Sequence, residues 1–261
     1  MTAVGKIVVV GATGLIGTKV VDILGANDQQ VLPASRRTGV DVLTGDGLTE
    51  ALQGARAVVD VTDSPSYEDA ALMNFFTTST ANLLAAERAA EVTHHVALSV
   101  VGADRMPDSP YMRAKVAQEN DVVASGVPYT ILRATQFFEF AGGIADSCAD
   151  GDTIRVPPAL IQPIAGTEVA AKLAIIAAQA AINAVVEIGG PEYLPFEEFI
   201  RTACAHYGDT RNVVTDPHAR YFGTALQERT LVTDAAWGRI RLANWLAGRQ
   251  PTRNLGSSHP G

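Results

Sequence analysis

The chain has 261 residues, 47% of them hydrophobic and 18% charged, with a formal net charge of -8. That is enough chain to bury a sizeable core, in the balance usual for soluble globular proteins. No block of Lys and Arg occurs, which argues against a nucleic-acid partner, since phosphate affinity comes from clustered cations. In chain order, strand-like runs recur as "KIVVV", "QVLPAS", "AVVDVT", "HHVALSV" and "YTILRA". Amphipathic stretches lie between most of them: "LIGTKVVDIL", a long one from near Tyr67 with Ser66 as its expected cap, and "YMRAKVAQENDVVAS". Gly126 and Pro128 stop the last of these. Continuous apolar strands alternating with helices predict a parallel sheet covered on both faces, an α/β fold of the doubly wound Rossmann type.

Beyond about Phe137 the texture changes to short strands and prolines. A helix over Val169–Ala180, a strand "AVVEIG", a helix over Phe196–Tyr207 and a short strand "RNVVTD" follow. The expected division is a nucleotide-binding domain over 1–136, a smaller α/β substrate lobe over 137–250 that returns to the sheet edge, and a disordered tail over 251–261. Met1 leads straight into a strand without a leader-like segment, and "LAIIAAQAAINAVV" is interrupted by Gln179 and Asn183. These features predict a cytoplasmic protein that does not span a membrane. Cys148 and Cys204 stand alone and read as buried thiols. His94 and His95 are adjacent on a strand and so point to opposite faces, with no ligand partner nearby in sequence; no metal site is expected.

The first strand runs directly into "GATGLIG" and then a helix. Gly11 permits the turn, Gly14 lets backbone approach a phosphate, and Gly17 lets the helix pack closely on the strand. Ala12 and Thr13 complete the turn, and Leu15 and Ile16 begin the helix, whose first N–H groups lack partners and favour an anion. This predicts a dinucleotide pyrophosphate site. The next strand ends in Ser35, Arg36 and Arg37, where an NAD-binding protein carries a carboxylate for the ribose 2′-hydroxyl. Ser35 and Arg36 can instead donate to a 2′-phosphate, so NADP(H) is expected in preference to NAD(H), with Arg37 a bystander.

With "SRR", "GD", "VTDSPS", "SVVGAD", "YMRAK" and "ILRATQFFEF" added, the sequence from Lys6 to about Trp245 resembles the short-chain dehydrogenase/reductase superfamily. It is most similar to the atypical NmrA-like branch, which holds NADPH-dependent quinone reductases and non-catalytic redox sensors. The resemblance implies that Asp46, Gly47 and Leu48 lie near the adenine. It implies that Val61, Thr62 and Asp63 pass beneath the adenosine ribose and pyrophosphate. Ser99, Val100, Val101 and Gly102 would end a strand beside the nicotinamide, the first two toward the cofactor and the last two toward substrate. Tyr111 and Lys115 match the superfamily's Y-x-x-x-K pair, and residues four apart share a helix face. The lysine is expected to bind the nicotinamide ribose and to lower the tyrosine pKa for proton donation.

The serine usual at the strand end falls near Val101 here, with Ser99 too early, which weakens alcohol dehydrogenation more than hydride transfer to a quinone. Ligands bind beyond the carboxyl ends of such strands, placing Thr135 by the cofactor and Gln136, Phe137 and Phe138 by substrate, with Phe140 as core. Trp237 and Trp245 are expected to pack the C-terminal lobe. The expected activity is NADPH-dependent hydride transfer to a quinone or conjugated carbonyl compound, by a monomer or homodimer. The alternatives are a non-catalytic NADP(H)-bound regulator and an NADP-dependent epimerase or dehydratase.

Overall fold

A computed structural model describes residues 5–250. The first half alternates β1 (Lys6–Val10), α1 (Leu15–Ala26), β2 (Val31–Ala34), α2 (Leu48–Leu52), β3 (Ala55–Asp60), α3 (Asp69–Ala89), β4 (His94–Val100), α4 (Pro110–Ala124) and β5 (Tyr129–Ala134). The second half contains α5 (Ala141–Ser147), β6 (Ala149–Asp150), β7 (Thr153–Val156), β8 (Leu160–Ile161), α6 (Gly166–Ala177) and β9 (Ala184–Ile188). It continues with β10 (Leu194–Pro195), α7 (Phe196–Tyr207), β11 (Asn212–Thr215) and α8 (Leu242–Ala247).

Six strands form one parallel sheet in the order β2-β1-β3-β4-β5-β9. Alternation along each strand sends neighbouring side chains to opposite faces. Ile7, Val9, Ala57 and Val59 pack with Ile16, Val20 and Leu24 of α1 and with Val169 and Leu173 of α6. Val8, Val10 and Val58 pack with Leu48 and Leu52 of α2 and Leu83 of α3. Ala97 and Ile131 meet Leu84 of α3 and Val122 of α4. Both faces are therefore covered, as continuous apolar strands require. The sheet is the Rossmann type expected.

The chain after Phe137 is shared between two places. Helix α6 and strand β9 complete the sheet layers, while β7 joins β11 in parallel and β6 in antiparallel pairing, and β8 pairs with β10. Around these strands Phe138, Ile144, Phe196, Phe199, Tyr221 and Leu246 form a second core. Met106 and Met112 from the first half join it, so the smaller lobe is seated on α4. Cys148 and Cys204 are buried free thiols.

Some local boundaries differ from expectation. Helix α3 starts at Asp69, and the Ser66 hydroxyl accepts from the Glu68 amide at 3.3 Å instead of capping it. Helix α6 starts at Gly166, earlier than its apolar pattern, because the buried Glu139 carboxylate accepts from the Gly166 amide at 3.0 Å. The 251–261 tail lies outside the described residues.

Candidate active site

The glycine turn joins β1 to α1 where the sheet's carboxyl edge opens. Gly11 adopts φ +83°, and a β-carbon there would lie 2.7 Å from the Val61 carbonyl oxygen. Its amide and that of Ala12 both donate to the Ala34 carbonyl, at 3.1 and 3.2 Å, which ties the turn to β2. A β-carbon on Gly17 would overlap the Gly11 carbonyl, so only glycine lets α1 come this close. Gly14 caps α1 without a side chain, and no acidic residue occupies the first turn. No carbonyl of the described residues takes up the amides of Leu15, Ile16 and Gly17. Thr13 is exposed, whereas Ala12 and Ile16 are buried and can contribute only backbone.

Beyond β2, the Ser35 amide donates to the Thr38 hydroxyl at 2.8 Å, while the Ser35 hydroxyl has no partner. Arg36 and Arg37 are exposed and form no ion pair among the described residues. Asp46 is exposed, and Gly47, at φ +72°, lets its loop press on the Gly39 carbonyl. The Leu48 side chain is buried between α2 and α3, so any adenine contact from it would be through backbone.

The ends of β3 and β4 carry a polar chain. Asp60 is buried, and its carboxylate accepts from the Thr62 amide and hydroxyl at 2.9 and 2.7 Å and from the Gln118 amide at 2.9 Å. Gln118 in turn accepts from the Lys115 ammonium, which also donates to the Leu98 carbonyl at 2.8 Å. Lys115 is only 3% exposed and sits 4.6 Å from the centre of the Phe76 ring. Burial pushes its pKa down, against the pull of Asp60, Asp63 and Glu119. One ammonium proton remains after these two bonds.

Tyr111 corrects an expectation. Its phenol is not lowered toward neutrality: burial and then the Asp63 carboxylate hold its pKa well above the usual value. The hydroxyl faces Asp63, which also accepts from Tyr67 at 3.4 Å. Tyr67 and Tyr111 stack with ring centres 6.0 Å apart, and Phe76 meets Tyr111 edge-on at 5.9 Å. Burial raises the Asp63 pKa, opposed by Lys115 and by its hydrogen bonds.

Ser99 is buried on the α4 face of β4 with its hydroxyl unpartnered, and Val100 packs beside Tyr111 against the second core. Val101 is fully buried, its amide bonded to the Ala134 carbonyl at 3.0 Å, so its side chain offers no surface to a substrate. At Gly102, φ +80°, a β-carbon would overlap the Thr230 carbonyl: this glycine admits the C-terminal segment.

The segment after β5 is more structural than its sequence suggests. Thr135 is buried and its hydroxyl donates to the Gln162 carbonyl. Phe137 stacks on Phe140 at 5.2 Å within the core above α1. Phe138 is 2% exposed and lies 5.4 Å from Trp245 in the second core. These rings close the gap between two cores and leave no aromatic wall for substrate. Trp237 packs against α6, its ring 5.5 Å from the Lys172 ammonium. Gln136 is different: it is buried, and among the described residues its amide makes no close hydrogen bond, the Tyr221 phenol being the polar group that approaches it. Tyr221, from the irregular C-terminal segment, lies beside it.

Sequence reasoning missed Asp60, Gln118 and Tyr221. Asp60 could have been flagged as the carboxylate closing an otherwise apolar strand, and Gln118 as sharing a helix face with Lys115. Tyr221 had no periodic signal. The histidines also need correction, because His95 does have an acidic partner. Its Nδ1 lies 2.8 Å from Glu87, eight residues back, with both side chains fully buried. His94 instead contacts the Gln179 carbonyl and the Thr130 hydroxyl, at 3.0 and 2.9 Å. Among the described residues no cluster of His, Cys, Asp and Glu could hold a metal ion.

The NAD(P)H-binding family matches residues 11–153, more than half of the chain. The chain belongs to that family. A curated relative, the photosystem II assembly factor Ycf39 of Cyanophora paradoxa, is 26% identical over 166 residues, 58% of this chain and 52% of its own length. The chain thus matches about half of that relative. Among solved structures, the Citrobacter sp. triphenylmethane reductase complexed with NADP(H) superposes with TM-score 0.63 at 20% identity, covering 81% of this chain and 79% of that one. An NADPH-dependent quinone oxidoreductase from Escherichia coli gives 0.58 at 19% identity, covering 80% and 78%. A nucleoside-diphosphate-sugar epimerase from Staphylococcus aureus gives 0.67 at 15% identity, covering 92% and 99%. The likeness to these structures is one of fold, a Rossmann-type nucleotide-binding fold. Among the described residues no helix is long and apolar enough to cross a membrane.

Proposed function

We propose that this protein is an NADPH-dependent reductase that delivers hydride to a quinone or conjugated carbonyl compound held between the sheet and the smaller lobe. The observation that carries this reading is the turn at Gly11–Gly17, with its unspent helical amides. Those amides suit a diphosphate, and the turn that presents them is tied to β2 and packed against Val61 through glycine backbone. The unpaired Arg36 and the unpartnered Ser35 hydroxyl favour a 2′-phosphate over a bare ribose. NADPH, when bound, supplies the hydride. Lys115 offers its remaining proton to a ribose hydroxyl, and Gln136 offers an unsatisfied amide to a polar group of the acceptor. Tyr111, in the first turn of α4, is the hydroxyl assigned to the acceptor oxygen. We also read the protein as monomeric or dimeric and cytoplasmic.

The test is NADPH consumption with a panel of small quinones, followed by two variants. Lys115→Ala is expected to abolish turnover, whereas Tyr111→Phe lowers it by about 100-fold, the lower range for general-acid catalysis. No turnover with any acceptor, together with retained NADPH binding, overturns the reductase reading. It would favour a nucleotide-bound regulator, to which the buried, doubly bonded Lys115 and the similarity to an assembly factor both lend support.

A further inference from the structure

The superfamily's pair accounts for Tyr111 and Lys115 but not for the group that Tyr111 faces. Asp63 follows β3 at the carboxyl edge of the sheet, and its carboxylate is shared by two phenols. Tyr111 comes from the first turn of α4, fixed there by the Ser109 cap and Pro110. Tyr67 comes from the segment ahead of α3 and stacks on Tyr111, and both phenols meet the Asp63 carboxylate. The Asp63 amide neighbour Ser64 donates back to the carboxylate at 2.9 Å, holding its orientation. Tyr67 is 40% exposed and reaches solvent, whereas Asp63 is only partly exposed.

Starting from the reductase reading above, we propose that Asp63 is the positioning residue that supplies Tyr111 with the proton of the reaction, and that Tyr67 connects Asp63 to water. Reduction of a quinone by hydride puts two electrons on the ring and leaves one oxygen anionic. That oxygen takes the Tyr111 proton, Tyr111 takes the proton of the Asp63 carboxyl, and Asp63 regains one from water through Tyr67. The balance is one hydride and one proton per acceptor, with every protein group restored. A serine at the strand end is then dispensable, which accounts for a buried Val101 in its place.

The charged and titratable groups facing Asp63 are Lys115 and Tyr111 of α4 and Tyr67 ahead of α3. Lys115 is shared with Asp60 and Glu119, so its charge is divided among three carboxylates. Together with burial this leaves Asp63 easier to protonate than an ordinary aspartate, as its role as a proton source requires.

The test compares wild type, Asp63→Asn, Asp63→Glu and Tyr67→Phe by kcat against pH with menadione and NADPH. An asparagine keeps the shape and can still accept from both phenols, but it has no carboxyl proton to pass on. Asp63→Asn is expected to lose at least about 10-fold in kcat and to lose the decline that wild type shows as pH rises through the Asp63 pKa. NADPH affinity by calorimetry, measured alongside and with NADPH saturating in the kcat assay, separates any loss of cofactor contact from loss of the proton. Asp63→Glu should recover most of the rate, and Tyr67→Phe should lose about 3-fold with a changed solvent isotope effect. Wild-type kcat and pH profile in Asp63→Asn overturn the proposal.

A second readout needs neither cofactor nor turnover. Near-ultraviolet titration of tyrosinate in the protein alone should show two tyrosines titrating at lower pH once Asp63 is asparagine, Tyr67 and the one absent in Tyr111→Phe. An unmoved midpoint overturns the proposal even where no quinone is reduced; a moved midpoint without turnover faults only the reductase reading.

Discussion

Strands β1 and β3 lie side by side, and their carboxyl ends treat polar groups in opposite ways. At β1 the Gly11–Gly17 turn spends little: among the described residues the first helical amides meet no carbonyl, and nearby Arg36 meets no carboxylate. At the ends of β3 and β4, the unpartnered Ser99 hydroxyl aside, the charged side chains are engaged from within. Asp60 bonds Thr62 and Gln118, Lys115 bonds Gln118 and Leu98, and Asp63 gathers two tyrosines. Buried polar groups must be satisfied, so an unspent donor set in an ordered turn signals a ligand, and a satisfied network signals internal positioning. One region is built to receive charge and the other to hold its own in place.

The sharpest way to break the satisfied region is below the network, at Glu87 and His95. Burial alone would push the His95 imidazole down, but the Glu87 carboxylate, with Asp60 behind it, outweighs burial and raises its pKa. Removing one partner of a buried ion pair leaves the other uncompensated, so Glu87→Gln should cost about 3–5 kcal/mol in urea unfolding. Because the folded pKa is raised, this contribution is full below the unfolded histidine value of about 6.5 and is lost as pH rises through the folded value. Wild-type stability should fall across that alkaline window, and the slope should flatten in Glu87→Gln.

Next in size is the unspent region. Gly11→Ala combines a left-handed backbone with a β-carbon against Val61, which shifts the turn off the helix amides. Losing two amide bonds to a charged phosphate, each worth about 1.5 kcal/mol, should weaken NADPH binding roughly 100-fold by calorimetry. Unchanged affinity would mean that the turn is not where the diphosphate sits.

What the sequence made legible follows the same division. Alternation of apolar strands and helices was enough for the sheet, and glycine spacing was enough for the turn, because both are short-range patterns. The aromatic run after β5 misled because Phe137 and Phe138 read equally well as pocket or core; which one they became depended on Trp245 and α1, far away in sequence. The Tyr111–Lys115 spacing correctly put both on one helix. It could not reveal that Lys115 would turn inward to Leu98 and Gln118, or that Asp63 would claim the tyrosine. The partner of His95 was also within reach, eight residues back, but only the crossing of α3 over β4 brings the two together.

The smallest effect expected is at Arg36. Arg36→Ala should lower NADPH affinity about 10-fold while leaving NADH affinity unchanged, the loss of one charge-assisted contact. A parallel loss for both nucleotides would assign the arginine to the turn's general charge and not to a 2′-phosphate.

The central claim is that the turn at Gly11–Gly17 binds a dinucleotide and that the cationic loop after β2 selects its phosphorylated form. Calorimetric titration of the purified protein with NADPH and NADH tests this most directly. The account predicts one site per chain with NADPH bound about 10-fold more tightly. Binding of neither nucleotide, or tighter binding of NADH, would contradict it.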